Sequence, residues 1–180
     1  MSKSKGMPAM RGLEHVALTV PNLDEACKFF EEVMGCEVLF SAGSFSKETG
    51  VRMDEQINVH PEARCVEYRY VRCGNGTNIE LFQYTSPDQK MVGPKNSDIG
   101  GHHIALYVDD IDKAAAYLKE KNVKTLQGPI PIKEGPAAGQ SILYFFAPWG
   151  LQMELISYPK GMAYEKDAKS VLWMTAEPGK

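Results

Sequence analysis

Two histidines and two glutamates stand at matched places in this chain of 180 residues, and each pairing offers one imidazole nitrogen and one carboxylate oxygen. His15 sits in the run Glu14-His15-Val16-Ala17-Leu18-Thr19-Val20. Eighty-eight positions on, His103 sits in His102-His103-Ile104-Ala105-Leu106-Tyr107-Val108. Glu80 lies in Gly76-Thr77-Asn78-Ile79-Glu80-Leu81-Phe82-Gln83-Tyr84, and Glu154 lies 74 positions later in Gly150-Leu151-Gln152-Met153-Glu154-Leu155-Ile156-Ser157-Tyr158. A carboxylate set among apolar strand residues costs several kcal/mol unless it neutralises or finds a cation. Two imidazoles and two carboxylates that converge make an N₂O₂ set suited to a divalent ion: Zn, Ni, Co, Mn or Fe.

The surroundings of these residues repeat as well. His15/His103, Ala17/Ala105, Leu18/Leu106, Val20/Val108, Asp24/Asp112 and Ala26/Ala114 are identities in one gapless register, and Gly76, Glu80, Leu81 and Tyr84 recur at the second offset. The offsets differ by 14, so the first module carries about 14 extra residues between its matched blocks. Such self-similarity marks a duplicated structural unit. Each unit opens on a β-branched apolar run (13–20; 102–108) that predicts a strand. A helix follows, with Asn22 or Asp110 as N-cap and apolar residues at helical spacing. Gly35 suits the end of the first helix. Three strands complete each unit: 36–40, 64–72 and 78–84 in the first, 123–126, 141–146 and 152–158 in the second. The expected fold is therefore α+β, two tandem βαβββ modules. A four-stranded sheet with one helix cannot cover both its faces, so the modules should pair and share an interior.

The domain plan that follows is a flexible N-terminus over 1–10, a first module over 11–84 with an insertion at about 41–60, a linker over 85–101, a second module over 102–159 and a tail over 160–180. The insertion is expected to be a long loop near one mouth of the interior. In the tail, Val171-Leu172-Trp173-Met174 is an apolar cluster that either staples the tail to the body or touches a partner subunit.

Strand alternation puts His15 on one face with Ala17 and Thr19, and Glu80 on one face with Phe82 and Tyr84. His103 and Glu154 follow the same rule in the second module. A single histidine in a strand is most often a hydrogen-bonded core or surface residue, and a single glutamate most often faces solvent or an arginine. Recurrence of both types at matched positions is what favours metal ligation. His102 falls on the opposite face and is left out; His60, in the insertion, has no repeat partner.

Composition excludes several classes. Hydrophobic residues make up 43% and charged residues 24%, the balance of a globular protein rather than a disordered one. A net charge of −3 argues against coating nucleic acid or an anionic membrane. The four cysteines, at 27, 36, 65 and 73, have no C-x-x-C spacing, so a cysteine-rich zinc site is not expected. The N-terminus has no apolar core of a secretory signal, which predicts a cytoplasmic protein with reduced thiols. The uncharged stretch between Glu134 and Glu154 is broken by Gly, Pro and Gln, so two buried strands are expected there, not a membrane span.

The paired βαβββ plan, the [EH]-H-[VI]-A-L-x-V openings and the [IM]-E-L endings resemble the vicinal oxygen chelate superfamily, the group of glyoxalase I, the bleomycin-resistance proteins and the extradiol dioxygenases. The resemblance covers residues 12–159. It implies sheets curled into a metal-containing cup, with His15, Glu80, His103 and Glu154 as ligands of one divalent ion. It also implies a small-molecule substrate chelated through two neighbouring oxygens, with Glu154 or Glu80 shuttling a proton at the carbon beside a carbonyl. Members of the group either close the cup within one chain or swap modules with a twin, and a homodimer is preferred. Extradiol dioxygenases are similar in the places of His15, His103 and Glu154 but do not use the place of Glu80, which favours proton-transfer members. Glyoxalase I matches all four residues, methylmalonyl-CoA epimerase typically has Gln where Glu80 stands, and sugar or cyclitol ketone epimerases also fit. An isomerase, epimerase or glyoxalase-like lyase is thus preferred; the alternatives are an Fe(II) dioxygenase and a non-catalytic binding protein. Tyr144, Phe146, Trp149, Arg69 and Arg72 are candidate pocket or core residues, and the Gly135–Gly139 loop is expected to be a structural turn.

Overall fold

A computed structural model describes residues 7–177 of the chain; the ends of the expected N-terminus (1–6) and tail (178–180) lie outside the described residues. The first module runs β1 (His15–Thr19), α1 (Leu23–Glu32), β2 (Glu37–Ala42), α2 (Met53–Ile57), β3 (Arg64–Arg72) and β4 (Asn78–Thr85). The second runs β5 (Ile104–Tyr107), α3 (Ile111–Glu120), β6 (Ile130–Pro131), β7 (Ser141–Phe146) and β8 (Gln152–Ser157). Each module forms a four-stranded sheet, ordered β1-β4-β3-β2 and β5-β8-β7-β6. First and last strands of each module are parallel neighbours, and the remaining pairs are antiparallel.

Local chemistry starts both long helices as expected. The Asn22 side chain accepts from the Glu25 amide at 2.9 Å, and Asp110 accepts from the Lys113 amide at 3.0 Å. Each bond satisfies one of the amides left free in a first helical turn. Gly35, at φ +69°, takes the left-handed turn that lets the chain leave α1 for β2.

One strand differs from expectation. Residues 123–126 lie along β7, where Leu126 donates to the Tyr144 carbonyl at 2.8 Å and Phe146 donates to the Lys124 carbonyl at 2.9 Å. The only bridge there, though, is Thr125 to Phe145. The regular edge strand forms later, at Ile130–Pro131. Pro129 has no amide to give a ladder, so pairing breaks before it and resumes beyond. The insertion also carries more order than a loop, holding the short α2 and a 3-10 turn at Lys47–Thr49.

The apolar interior is continuous across both modules. Leu18, Val20, Phe29, Phe30, Ile79 and Leu81 of the first meet Ile111, Leu118, Leu143, Phe145, Met153 and Leu155 of the second in one buried cluster. Trp149 of the second module sets its ring edge to face with Phe29, centroids 5.8 Å apart, and the Tyr117 hydroxyl donates to the Val33 carbonyl at 3.0 Å. This interior lies on the helix-bearing faces of the sheets. By alternation, the faces carrying His15 and Glu80, and His103 and Glu154, are the opposite ones.

Cys36 and Cys73 form a disulfide, against the expectation of four reduced thiols. The sheet makes the pairing available: Glu37 is the cross-strand partner of Arg72, so the two cysteines flank the first rung of the β2–β3 ladder. Cys27 and Cys65 are free and buried, and burial raises both thiols above their ordinary value. The tail is tied back to the first module. Asn75 Nδ2 donates to the Thr175 carbonyl at 3.3 Å and the Trp173 ring lies against Gly76, while within the tail the Leu172 amide donates to Tyr164 Oη at 2.7 Å. Val171 and Leu172 stay exposed. Among the described residues no helix is long and apolar enough to cross a membrane.

Candidate functional site

In the first module β1 and β4 run side by side with Ala17 opposite Glu80 and His15 opposite Asn78. His15 and Glu80 are therefore diagonal neighbours on one face. His15 Nε2 stands 3.4 Å from Glu80 Oε2. The second module repeats the arrangement: Ala105 is opposite Glu154, His103 immediately precedes β5, and His103 Nε2 stands 2.9 Å from Glu154 Oε2. Glu154 is 7% exposed, and the Glu80 side chain 13%. Both histidines are about one-third exposed, so each pair has a dry carboxylate and an imidazole at the surface.

A tyrosine completes each pair: Tyr144, a pocket or core candidate in the sequence, and Tyr70, which the sequence did not single out. Tyr70 is the β3 partner of Glu80 and Tyr144 the β7 partner of Glu154. Tyr70 meets the His15 ring edge to face, centroids 5.8 Å apart, and Tyr144 meets His103 in the same way at 5.3 Å. Burial first, and then the adjacent glutamate, pushes each phenol above its ordinary value, so both stay neutral hydrogen-bond donors at physiological pH. Tyr70 and Tyr144 are separated by the same 74 positions as the glutamates, which is the signal that marks them.

The first half-site is the more aromatic. Phe40 stacks on Tyr70 at 4.8 Å, Tyr68 lies 5.2 Å from Phe82, and Phe82 stacks on Tyr84 at 5.3 Å. Phe45, from the insertion, adds a ring 6.1 Å from Tyr68. Burial carries the Tyr84 phenol up to about 12. The second half-site is lined by Tyr107 and Tyr158, in edge contact at 5.1 Å.

His15 has a further partner. Glu14 Oε2 lies 2.5 Å from His15 Nδ1, and Asn78 Nδ2 holds the other carboxylate oxygen, Oε1, at 3.0 Å. These hydrogen bonds, His15 first, hold the Glu14 carboxyl below its ordinary value.

The structure thus brings His15 to Glu80 and His103 to Glu154. Among the described residues, no three or more His, Cys, Asp or Glu side chains gather in a group that could hold a metal ion. The four expected ligands form two half-sets within one chain. Each half-set nonetheless fits a cation chemically. Two ligand atoms about 2.1 Å from a common ion and about 90–110° apart lie roughly 3.0–3.4 Å from one another. The two His–Glu separations sit at about that spacing.

Other candidate residues have structural roles. Arg69 points to the helix side, held by Glu67 at 2.9 Å and Asp24 at 2.8 Å, and Arg72 donates to the Gly74 carbonyl at 3.2 Å. Trp149 packs against the core, and Lys124 lies over the Phe146 ring at 5.1 Å. His102 turns to the Gly100 carbonyl at 3.1 Å, and His60 Nδ1 accepts from the Glu62 amide at 3.0 Å. The Gly135–Gly139 segment is a turn closed by the Ala138 amide on the Gly135 carbonyl at 3.1 Å.

Residues 12–155 match the model of the Glyoxalase/Bleomycin resistance protein/Dioxygenase superfamily. The chain is 41% identical over 170 residues to a 2-epi-5-epi-valiolone epimerase from Actinomyces sp, covering 94% of this chain and 91% of that protein. It is 31% identical over 122 residues to the mitochondrial methylmalonyl-CoA epimerase of Homo sapiens, covering 67% of this chain and 59% of that one. Among solved structures, a glyoxalase family protein from Bacillus cereus superposes with a TM-score of 0.62 at 18% identity, over 84% of this chain and 98% of that one. A glyoxalase I mutant from Zea mays gives a TM-score of 0.55 at 23% identity, over 80% of this chain and 44% of that one. At these identities the structural likeness speaks to the fold.

Proposed function

Because the chain belongs to the Glyoxalase/Bleomycin resistance protein/Dioxygenase superfamily, we propose that it is an epimerase that inverts the carbon beside a ketone in a polyhydroxylated ring, a keto-cyclitol. The observation that carries this reading is the twinned His–Glu–Tyr arrangement. Epimerisation takes a proton from one face of a carbon and returns one to the other, so it needs two acid–base groups facing each other across the substrate. Two glutamates from modules of the same design supply such a pair. The 41% identity to the valiolone-type epimerase over nearly the whole chain supports the substrate class. The aromatic lining of the first half-site supports it too, since flat rings suit the C–H faces of a cyclic polyol.

His15, Glu80, His103 and Glu154 would hold one divalent ion, of the Zn, Ni, Co, Mn or Fe class. When bound, such an ion supplies electrostatic withdrawal from a carbonyl and a neighbouring hydroxyl, which acidifies the adjacent C–H. Glu80 and Glu154 hold and move the proton, and the neutral hydroxyls of Tyr70 and Tyr144 steady the carboxylates. The half-buried aromatic walls screen the reacting carbon from water.

Since one chain presents two half-sets, the complete site is formed between the first module of one copy and the second module of another, in a homodimer. The exposed apolar residues Leu39 and Phe40, at the edge of the first half-site, suit such a contact.

Glu80→Gln and Glu154→Gln test the assignment. Each should lower the rate of epimer formation from a keto-cyclitol by about 10²–10⁴-fold, the usual weight of a general acid–base group. Two variants that turn over at the wild-type rate would exclude the glutamates as proton carriers.

A further inference from the structure

We propose that Glu14 is a positioning residue that fixes the tautomer of His15, leaving the first module's imidazole ready to bind a cation while the second module's is not. The proposal rests on the reading of His15 and His103 as ligands.

The geometry begins at the sheet. β1 and β4 place His15 opposite Asn78, and the Asn78 amide donates to the Glu14 carbonyl at 3.1 Å. The Asn78 side chain then reaches the same residue twice, donating to the Glu14 carbonyl at 3.3 Å and to Oε1 at 3.0 Å. With Oε1 held, Oε2 is carried onto His15 Nδ1 at 2.5 Å. Tyr70 Oη lies farther from the same nitrogen, at 3.4 Å. A carboxylate oxygen can only accept, so the ring proton belongs on Nδ1. Nε2 then presents its lone pair toward Glu80. The 3.4 Å separation there lies outside the usual 2.7–3.2 Å range of an N–H···O bond, as expected for two acceptors facing each other.

The second module lacks this device. His102 occupies the place of Glu14, and its Nδ1 turns to the Gly100 carbonyl. His103 Nε2 lies 2.9 Å from Glu154 Oε2, and among the described residues no carboxylate stands at its Nδ1; a proton on Nε2 faces the carboxylate, where a lone pair would oppose it. Before His103 can offer that nitrogen to a cation, the ring must pass to its other tautomer, with the proton on Nδ1 and the lone pair on Nε2. A carboxylate on the far nitrogen of a metal-binding histidine orients the ring and raises its basicity, and removing it typically costs 10–100-fold in metal affinity.

The test is an imidazole ¹H–¹⁵N correlation spectrum of the metal-free full-length protein near neutral pH, with signals assigned through His15→Ala and His103→Ala. The expected result is an Nδ1–H tautomer at His15 and an Nε2–H tautomer at His103. Glu14→Ala should convert His15 to the Nε2–H form, leave His103 unchanged and weaken Zn²⁺ binding by about 10–100-fold in a calorimetric titration. Glu14→Gln, which keeps an acceptor oxygen, should restore the tautomer. An Nε2–H tautomer at His15 in the wild type, or a Glu14→Ala protein unchanged in spectrum and affinity, overturns the proposal. A wild type that shows the expected tautomers but takes up no Zn²⁺ instead overturns the ligand reading beneath it.

Discussion

Tyr70 and Tyr144 stand where a hydroxyl can hold a glutamate without competing for its charge. Their raised phenols remain protonated donors beside Glu80 and Glu154. A hydrogen bond to a charged group contributes about 1.5–3 kcal/mol, which corresponds to roughly 10–100-fold in rate. Tyr70→Phe and Tyr144→Phe should each cost that much in kcat, with bound metal retained, as elemental analysis of the purified variants would show. Loss of metal with the hydroxyl would mean that the tyrosines build the cation site rather than tune the carboxylates. The four ligand candidates were legible in sequence because histidine and glutamate are unusual in an apolar strand, and their recurrence is conspicuous. The tyrosines recur at the same spacing but look like ordinary core material. Glu14 was not legible as a partner, since its role depends on Asn78, which lies 64 positions away and reaches it only through sheet pairing.

At the scale of elements, the helix starts and the alternation of β1, β4, β7 and β8 follow from local chemistry, and the parallel pairing of β1 with β4 and of β5 with β8 brings each histidine to its glutamate. Asn22→Ala and Asp110→Ala should each lower stability by about 1 kcal/mol, read as a shift in urea midpoint at constant slope. A larger loss would show that the cap also secures the turn out of β1 or β5. The less legible elements have nonlocal causes. Residues 123–126 carry the apolar character of a strand, but the ladder is broken by Pro129 and resumes at Ile130. The Cys36–Cys73 disulfide follows from the β2–β3 register, with cysteines 37 positions apart in sequence becoming neighbours across two strands.

For the whole molecule, the repeat implied two incomplete sheets that need one another, and the buried cluster running through both modules is that shared interior. The helix-bearing faces supply it, so the His–Glu faces lie outside that interior, where the proposed function places substrate, cation and a second copy. Which faces meet was not legible, because either face of an isolated βαβββ unit carries enough apolar residues to be covered. In the proposed dimer, each of the two complete sites joins the first module of one chain to the second module of the other. A His15→Ala chain keeps an intact second module, and a His103→Ala chain keeps an intact first. Each variant alone has no complete site, whereas their mixed dimer has one.

The most direct measurement is uptake of solvent deuterium at the carbon beside the ketone of a keto-cyclitol, followed by NMR with the protein loaded with a divalent ion. The wild type should incorporate deuterium as the epimer forms, His15→Ala and His103→Ala should each fail to do so, and co-assembly of the two variants should recover uptake. Absence of deuterium uptake by the loaded wild type during turnover, or full uptake by each variant alone, would contradict a proton-transfer site built from these paired modules.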